Sequence, residues 1–201
     1  MLVPPSRGRY AKGVERREQI IQTATDVFAT EGFEGTALRR VAELVGVRES
    51  TLFHYFGTKQ ELLTAVLEER DRRAHRDLGG EGGDMVSALP AVARSNAAQP
   101  GLTTLYAVAS ATASATDHAS HEYFHNRFKA VVDNAARDIA ARQEAGTLRT
   151  DLPAVVLARL LVAASDGLQL QWMYDKTLDM ARDLDSLATT LFARPAVPNN
   201  Q

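Results

Sequence analysis

An all-α fold is predicted by three observations. Alternation of β-branched and polar residues at period two is almost absent, apolar residues recur three and four apart nearly throughout, and proline and glycine fall mainly between those stretches. The 201 residues suffice for one ordinary domain, or for a small module joined to a larger one, each with its own apolar core.

The first helix is marked by Ile20, Ala24, Val27 and Phe28 on one face, with Gly32 placed for a left-handed C-terminal cap. Thr36 is expected to cap a short second helix with inner face Leu38, Val41, Ala42 and Val45, ended by Gly46. A third runs from about Glu49 to Tyr55; it is too short to stand alone, so Leu52 and Phe56 must anchor it to its neighbours. "TKQE" at 58–61 reads as a capping box opening a fourth helix, whose buried side carries Leu62, Leu63 and Val66. "GGEGG" at 79–83 is a linker, and the domain boundary is expected there or slightly earlier, inside the fourth helix. Beyond it come helices near 85–97, with Pro90 in its first turns, and 102–115 after the break "QPG". A long helix at about 118–145 is closed by Gly146, one at 152–174 is capped by Asp151, and one lies near 180–193.

There is no cysteine, and residues 1–13 lack the apolar stretch of a secretory signal, so a cytoplasmic location is expected. Apolar runs such as "AVVL" and "LLVAA" fall short of the roughly 18 consecutive apolar residues of a membrane span, and no membrane partner is expected. The net charge of −2 hides a tilt: residues 1–76 hold 13 Lys and Arg against 11 Asp and Glu. Arg7, Arg9, Lys12, Arg16 and Arg17 face the single acid Glu15 within the first 17 residues, a basic arm suited to a polyanion.

Two short helices joined at Gly46 behind a bracing helix form the pattern of a helix-turn-helix. The stretch "GTALRRVAELVGVRESTLFHYFGTKQELL", 35–63, resembles the tetracycline-repressor (TetR) family of bacterial transcription regulators over its whole length. The match includes the Gly-Val before the third helix, the Thr-Leu followed by an aromatic residue, the Tyr-Phe, and the Lys three residues after that Phe. The resemblance implies an N-terminal three-helix DNA-binding domain followed by a helical ligand-binding and dimerisation domain. The expected division is a flexible basic arm at 1–14, the DNA-binding domain at 15–60, the larger domain at 61–194 and a tail at 195–201. The resemblance also implies a homodimer that binds a double-stranded operator, in the repressor's case until a small-molecule effector releases it. No enzymatic activity and no cofactor are expected.

Carried over by position, Thr36 and Arg39 would face the DNA backbone, and Glu49, Ser50, Thr51 and His54 would lie along the groove. Tyr55 and Lys59 match positions that grip phosphate; such contacts set register without reading sequence. Arg48 suits guanine, Glu49 a cytosine amino group and Thr51 a thymine methyl. The family often has Ser where Arg48 stands and Tyr where Phe53 stands, so an N-cap and a phosphate-directed hydroxyl are missing.

The helix at 152–174 is apolar around most of its circumference between Val155 and Leu170, which suggests burial on two sides, one against a second subunit. Ala163, Ala164 and Gly167, with Leu184, Leu187 and Leu191 of the last helix, are the expected dimer interface. Candidate effector contacts are Tyr106, His121, Phe124, Phe128, Gln171 and Trp172. "HEYFH" at 121–125 matches the zinc-protease signature, with His121 and His125 as ligands and Glu122 as base. No glycine and third histidine follow at the extended spacing, and Glu144 lies about 30 Å further along the same helix at 1.5 Å per residue. A sensor site of His118, His121 and His125 is geometrically possible. Ordinary, partly exposed histidines are the favoured reading, with no metal; the alternatives are a zinc-dependent hydrolase and a DNA-binding dimer without a ligand.

Overall fold

The computed structural model of the protein describes residues 7–77 and 85–193. Among the described residues there are helices and no strands: α1 (Arg7–Glu31), α2 (Leu38–Val45), α3 (Glu49–Phe56), α4 (Lys59–Asp77), α5 (Met85–Ala98), α6 (Pro100–Thr112), α7 (His121–Glu144), α8 (Ala154–Tyr174) and α9 (Met180–Phe192). The all-α expectation holds. Of the basic arm, residues 7–14 are the first turns of α1, and residues 1–6 lie outside the described residues, as do the "GGEGG" linker and the tail at 195–201.

The chain forms two compact units. One comprises the residues up to Arg73 together with Thr104–His121; the other comprises Ala74–Thr103 and the residues from Glu122 onward. In the first unit the inner faces read from sequence are the buried ones: Ile20, Ala24, Val27 and Phe28 of α1, Leu38, Val41, Ala42 and Val45 of α2, Leu52 and Phe56 of α3, and Leu62, Leu63 and Val66 of α4. Gly46 has φ 74° and ψ 36°, and its N–H bonds to the carbonyls of Ala42 and Glu43. A side chain there would be strained, so glycine permits the tight turn between α2 and α3.

Three cap assignments are corrected. Thr36 is not the N-cap of α2; that position is Ala37, and the Thr36 hydroxyl donates back to Gly32 O at 2.6 Å. Asp151 does not cap α8. The helix starts at Ala154 behind Pro153, out of reach of a residue that far upstream, and the Asp151 carboxylate takes two bonds from the Arg149 guanidinium at 2.7 and 2.6 Å instead. The capping box at α4 is half formed: Glu61 N donates to Thr58 Oγ1 at 3.1 Å, whereas Thr58 N donates to Phe56 O at 2.7 Å. The Glu61 carboxylate instead covers Gly57, whose φ is 69° and on which a Cβ would lie 2.5 Å from Glu61 Oε2.

In the second unit α5, α7, α8 and α9 enclose a cluster of Val86, Ala135, Ile139, Leu148, Leu157, Ala158, Leu161 and Phe192. A second cluster joins Ala93 of α5 and Trp172 of α8 to Met180, Ala181 and Leu184 of α9. Leu184, expected at a dimer interface, is therefore a core residue, 2 % exposed, while Leu187 and Leu191 are half-buried against the first cluster. The apolar stripe of α9 faces its own unit, and its outward side is Arg182, Asp185, Ser186, Thr189 and Thr190.

Candidate nucleic-acid interface

The α2–turn–α3 arrangement presents one side of α3 outward. Leu52 and Phe56 point inward, and Arg48, Glu49, Ser50, Phe53 and His54 are exposed, with Thr51 and Tyr55 half-buried at the margin. The N-cap of α3 is Arg48, which makes no side-chain cap bond, in line with the loss of the usual serine. The His54 and Tyr55 rings meet edge to face, 5.8 Å between centroids. Lys59 is held at the start of α4: its ammonium lies 4.4 Å from the centroid of the Phe33 ring and donates to Glu34 O at 3.3 Å. An ammonium has three donors, so this bond leaves capacity for a phosphate oxygen.

Arg39 is exposed and donates from Nε to Glu43 Oε1 at 2.8 Å, an i,i+4 pair of the kind that contributes little and exchanges readily. Thr36 is 2 % exposed, and its hydroxyl proton is given to Gly32 O. The sequence reading also missed the structural use of two basic residues of α1. Arg16 Nη1 donates to Val45 O at 3.4 Å, tying α1 to the end of α2, and the Arg17 guanidinium lies 5.1 Å from the centroid of the Phe56 ring.

The expected effector residues are dispersed. In the first unit Tyr106 is buried, with the Arg70 guanidinium 4.4 Å from its ring centroid, and His121 Nδ1 lies 2.9 Å from Ala113 O. In the second unit Phe124 is buried with half-buried Phe128 at 6.3 Å, and Trp172 is buried beneath the Lys176 ammonium at 3.4 Å. Gln171 is exposed on the outer side of α8. The buried polar residue of this helix is Gln169, 6 % exposed, whose Oε1 is, among the described residues, a buried acceptor without a hydrogen-bond partner. The sequence carried that signal, since Gln169 continues the inward stripe Ala158, Leu161, Ser165, Trp172 at spacings of three and four.

His118 Nδ1 accepts from Ser120 N at 3.1 Å. Among the described residues no three of His, Asp and Glu are grouped so as to hold a metal ion.

Residues 20–66, which span α1 to α4 and so the whole helix-turn-helix, match the bacterial regulatory proteins of the tetR family. Over 164 residues the chain is 29 % identical to the HTH-type transcriptional repressor AcnR of Corynebacterium efficiens, an alignment covering 78 % of this chain and 81 % of that protein. The chain carries a TetR-family DNA-binding domain. It is a DNA-binding transcriptional regulator, and its relatives in the family are regulators. Its fold agrees. A TetR-family transcriptional regulator from Rhodococcus sp. superposes with a TM-score of 0.72 at 23 % identity, covering 90 % of this chain and 100 % of that one. FadR of Bacillus subtilis, solved in complex with stearoyl-CoA, superposes with a TM-score of 0.69 at 18 % identity, covering 88 % and 97 %.

Proposed function

We propose that the protein is a homodimeric, cytoplasmic repressor that reads a palindromic operator with α3 and leaves it when a small molecule binds the helical region beyond α4. The observation that carries this reading is the outward face of α3, polar except for one residue and flanked by Arg39 and Lys59. Arg39, Tyr55 and Lys59 are the phosphate contacts, and Arg48, Glu49, Ser50, Thr51 and His54 face the base edges. Neither catalysis nor a cofactor enters this scheme.

Dimerisation is supported by α8. Ala154–Tyr174 is long and apolar enough over an 18-residue window to cross a membrane, yet only 22 % of that window is buried. Arg159 and Asp166 interrupt it, which favours a protein partner over lipid. Val155, Leu160, Ala163, Leu170 and Tyr174 are exposed along it, and nothing lies within 4 Å of where a Cβ on Gly167 would be, so a second helix can approach closely there.

Selection of bound duplexes from a random pool tests the reading. A palindromic site should be enriched. Lys59→Ala should weaken binding to all sequences alike and lower the salt slope by about one, whereas His54→Ala should relax one position in each half-site. Absence of any enriched sequence would remove the regulator assignment.

The effector region is supported by Gln169 and by the stearoyl-CoA complex of the fold relative. A buried acceptor without a donor lowers stability, and a bound molecule with an N–H or O–H group would satisfy it. Gln169→Leu is therefore expected to stabilise the ligand-free protein by about 1 kcal/mol, a rise in Tm of about 3 °C. A fall in Tm in a thermal melt would show that the amide is satisfied in solution.

A further inference from the structure

On the outward face of α3 one side chain does not suit a phosphate or a polar base edge. Phe53 is 47 % exposed, while the two other large apolar side chains that α3 turns inward, Leu52 and Phe56, are 1 % and 5 % exposed. Single exposed apolar residues are ordinary on protein surfaces. The setting separates this one: Glu49 and Ser50 lie one turn before it on the same side, and His54 follows it, all three exposed. Phe53 is thus central to the surface that the second helix of a helix-turn-helix turns toward the major groove.

A phenyl ring can neither donate to a phosphate nor satisfy the N–H and C=O groups of base edges. The apolar group that the major groove offers is the C5-methyl of thymine. We propose that Phe53 is a specificity-determining residue that packs on a thymine methyl in each half-site, so that discrimination at that position comes from apolar contact and not from hydrogen bonding. The assignment rests on the operator-binding reading above. It places beside the polar readers a residue whose contribution vanishes when one methyl group is removed from the DNA.

The test uses the full-length protein and the duplex selected from the random pool, with each thymine of one half-site replaced in turn by deoxyuridine, which keeps every hydrogen-bonding group and deletes the methyl. At one position the replacement should weaken wild-type binding about fourfold, the effect of losing one buried methyl-sized group. Phe53→Ala should bind the thymine duplex more weakly and show no further loss with deoxyuridine. Phe53→Leu, which keeps an apolar side chain, should retain part of the sensitivity. Because the ring is exposed, circular dichroism and Tm of both variants should match the wild type.

If no thymine is sensitive to loss of its methyl, the assignment is wrong. Equal sensitivity in wild type and Phe53→Ala would transfer the methyl contact to another residue, Thr51 first, and overturn it. A uniform loss across all sequences on Phe53→Ala, with methyl sensitivity intact, would make Phe53 a positioning residue and overturn it as well. If the pool yields no enriched duplex at all, the operator reading fails and this assignment falls with it; enrichment without methyl sensitivity at Phe53 leaves that reading standing.

Discussion

Replacing Leu160 and Leu170 together by glutamate should leave a folded monomer whose affinity for the palindromic duplex is lower by at least about 100-fold. Both side chains lie on the outer side of α8, 49 % and 53 % exposed, in line with Val155 and Tyr174 at 40 % and 86 %. The opposite side of the same helix supplies Leu157, Ala158, Leu161 and Trp172 to the core, so the substitutions leave the packing of the protomer untouched. A symmetric interface brings each substituted side chain near its copies, and carboxylates desolvated without a cationic partner oppose association strongly. Once the dimer is broken, the second DNA-binding unit no longer follows the first at high effective concentration, which is where the large loss in affinity arises. Light scattering reads the mass, and gel shift at fixed salt reads the affinity. A variant that remains dimeric would place the interface elsewhere, and a wild-type protein already monomeric at micromolar concentration would end the dimer proposal.

The same helix shows what periodicity can and cannot tell. Apolar spacing in α8 and α9 marks which sides leave water, but it does not say whether the cover comes from the same chain or from a second copy. Leu184 was assigned outward and lies in the core, because α9 uses its whole apolar stripe against α5 and α8. Gln171, the expected effector contact, is exposed, and the buried glutamine is Gln169; the facing of a residue two places away on a helix differs by about 200°, and only packing fixes which one is inside. Caps failed for a related reason. Thr36 and Asp151 are suitable residue types near helix starts, but capping demands the right position to within one residue, and each found another bond first, to Gly32 O and to Arg149. The helix-turn-helix was legible in detail because its determinants are local: Leu38, Val41, Ala42 and Val45 set the inner face, and Gly46 sets the turn, all within nine residues.

That local module suggests the second large effect. Leu52→Ala should destabilise the DNA-binding unit by about 3 kcal/mol and abolish measurable duplex binding, while the protein stays dimeric. With eight residues, α3 is well below the length at which a helix persists on its own, its N-cap Arg48 provides no side-chain bond, and its inward side offers only Leu52 and Phe56 as large buried groups. Phe56 lies beneath the Arg17 guanidinium, so a cavity at Leu52 loosens the contact between α3 and α1 as well as that between α3 and α2. Leu52 belongs to the first unit and the α8 face to the second, so mass should be unchanged. The comparison with Phe53→Ala, one residue away, separates two causes of lost binding. Leu52→Ala should lower both the unfolding midpoint in urea and the affinity, on every sequence alike; Phe53→Ala should lower affinity alone, at one thymine. If Leu52→Ala keeps both its unfolding midpoint and its affinity, α3 is held in position against the groove by something other than its buried side.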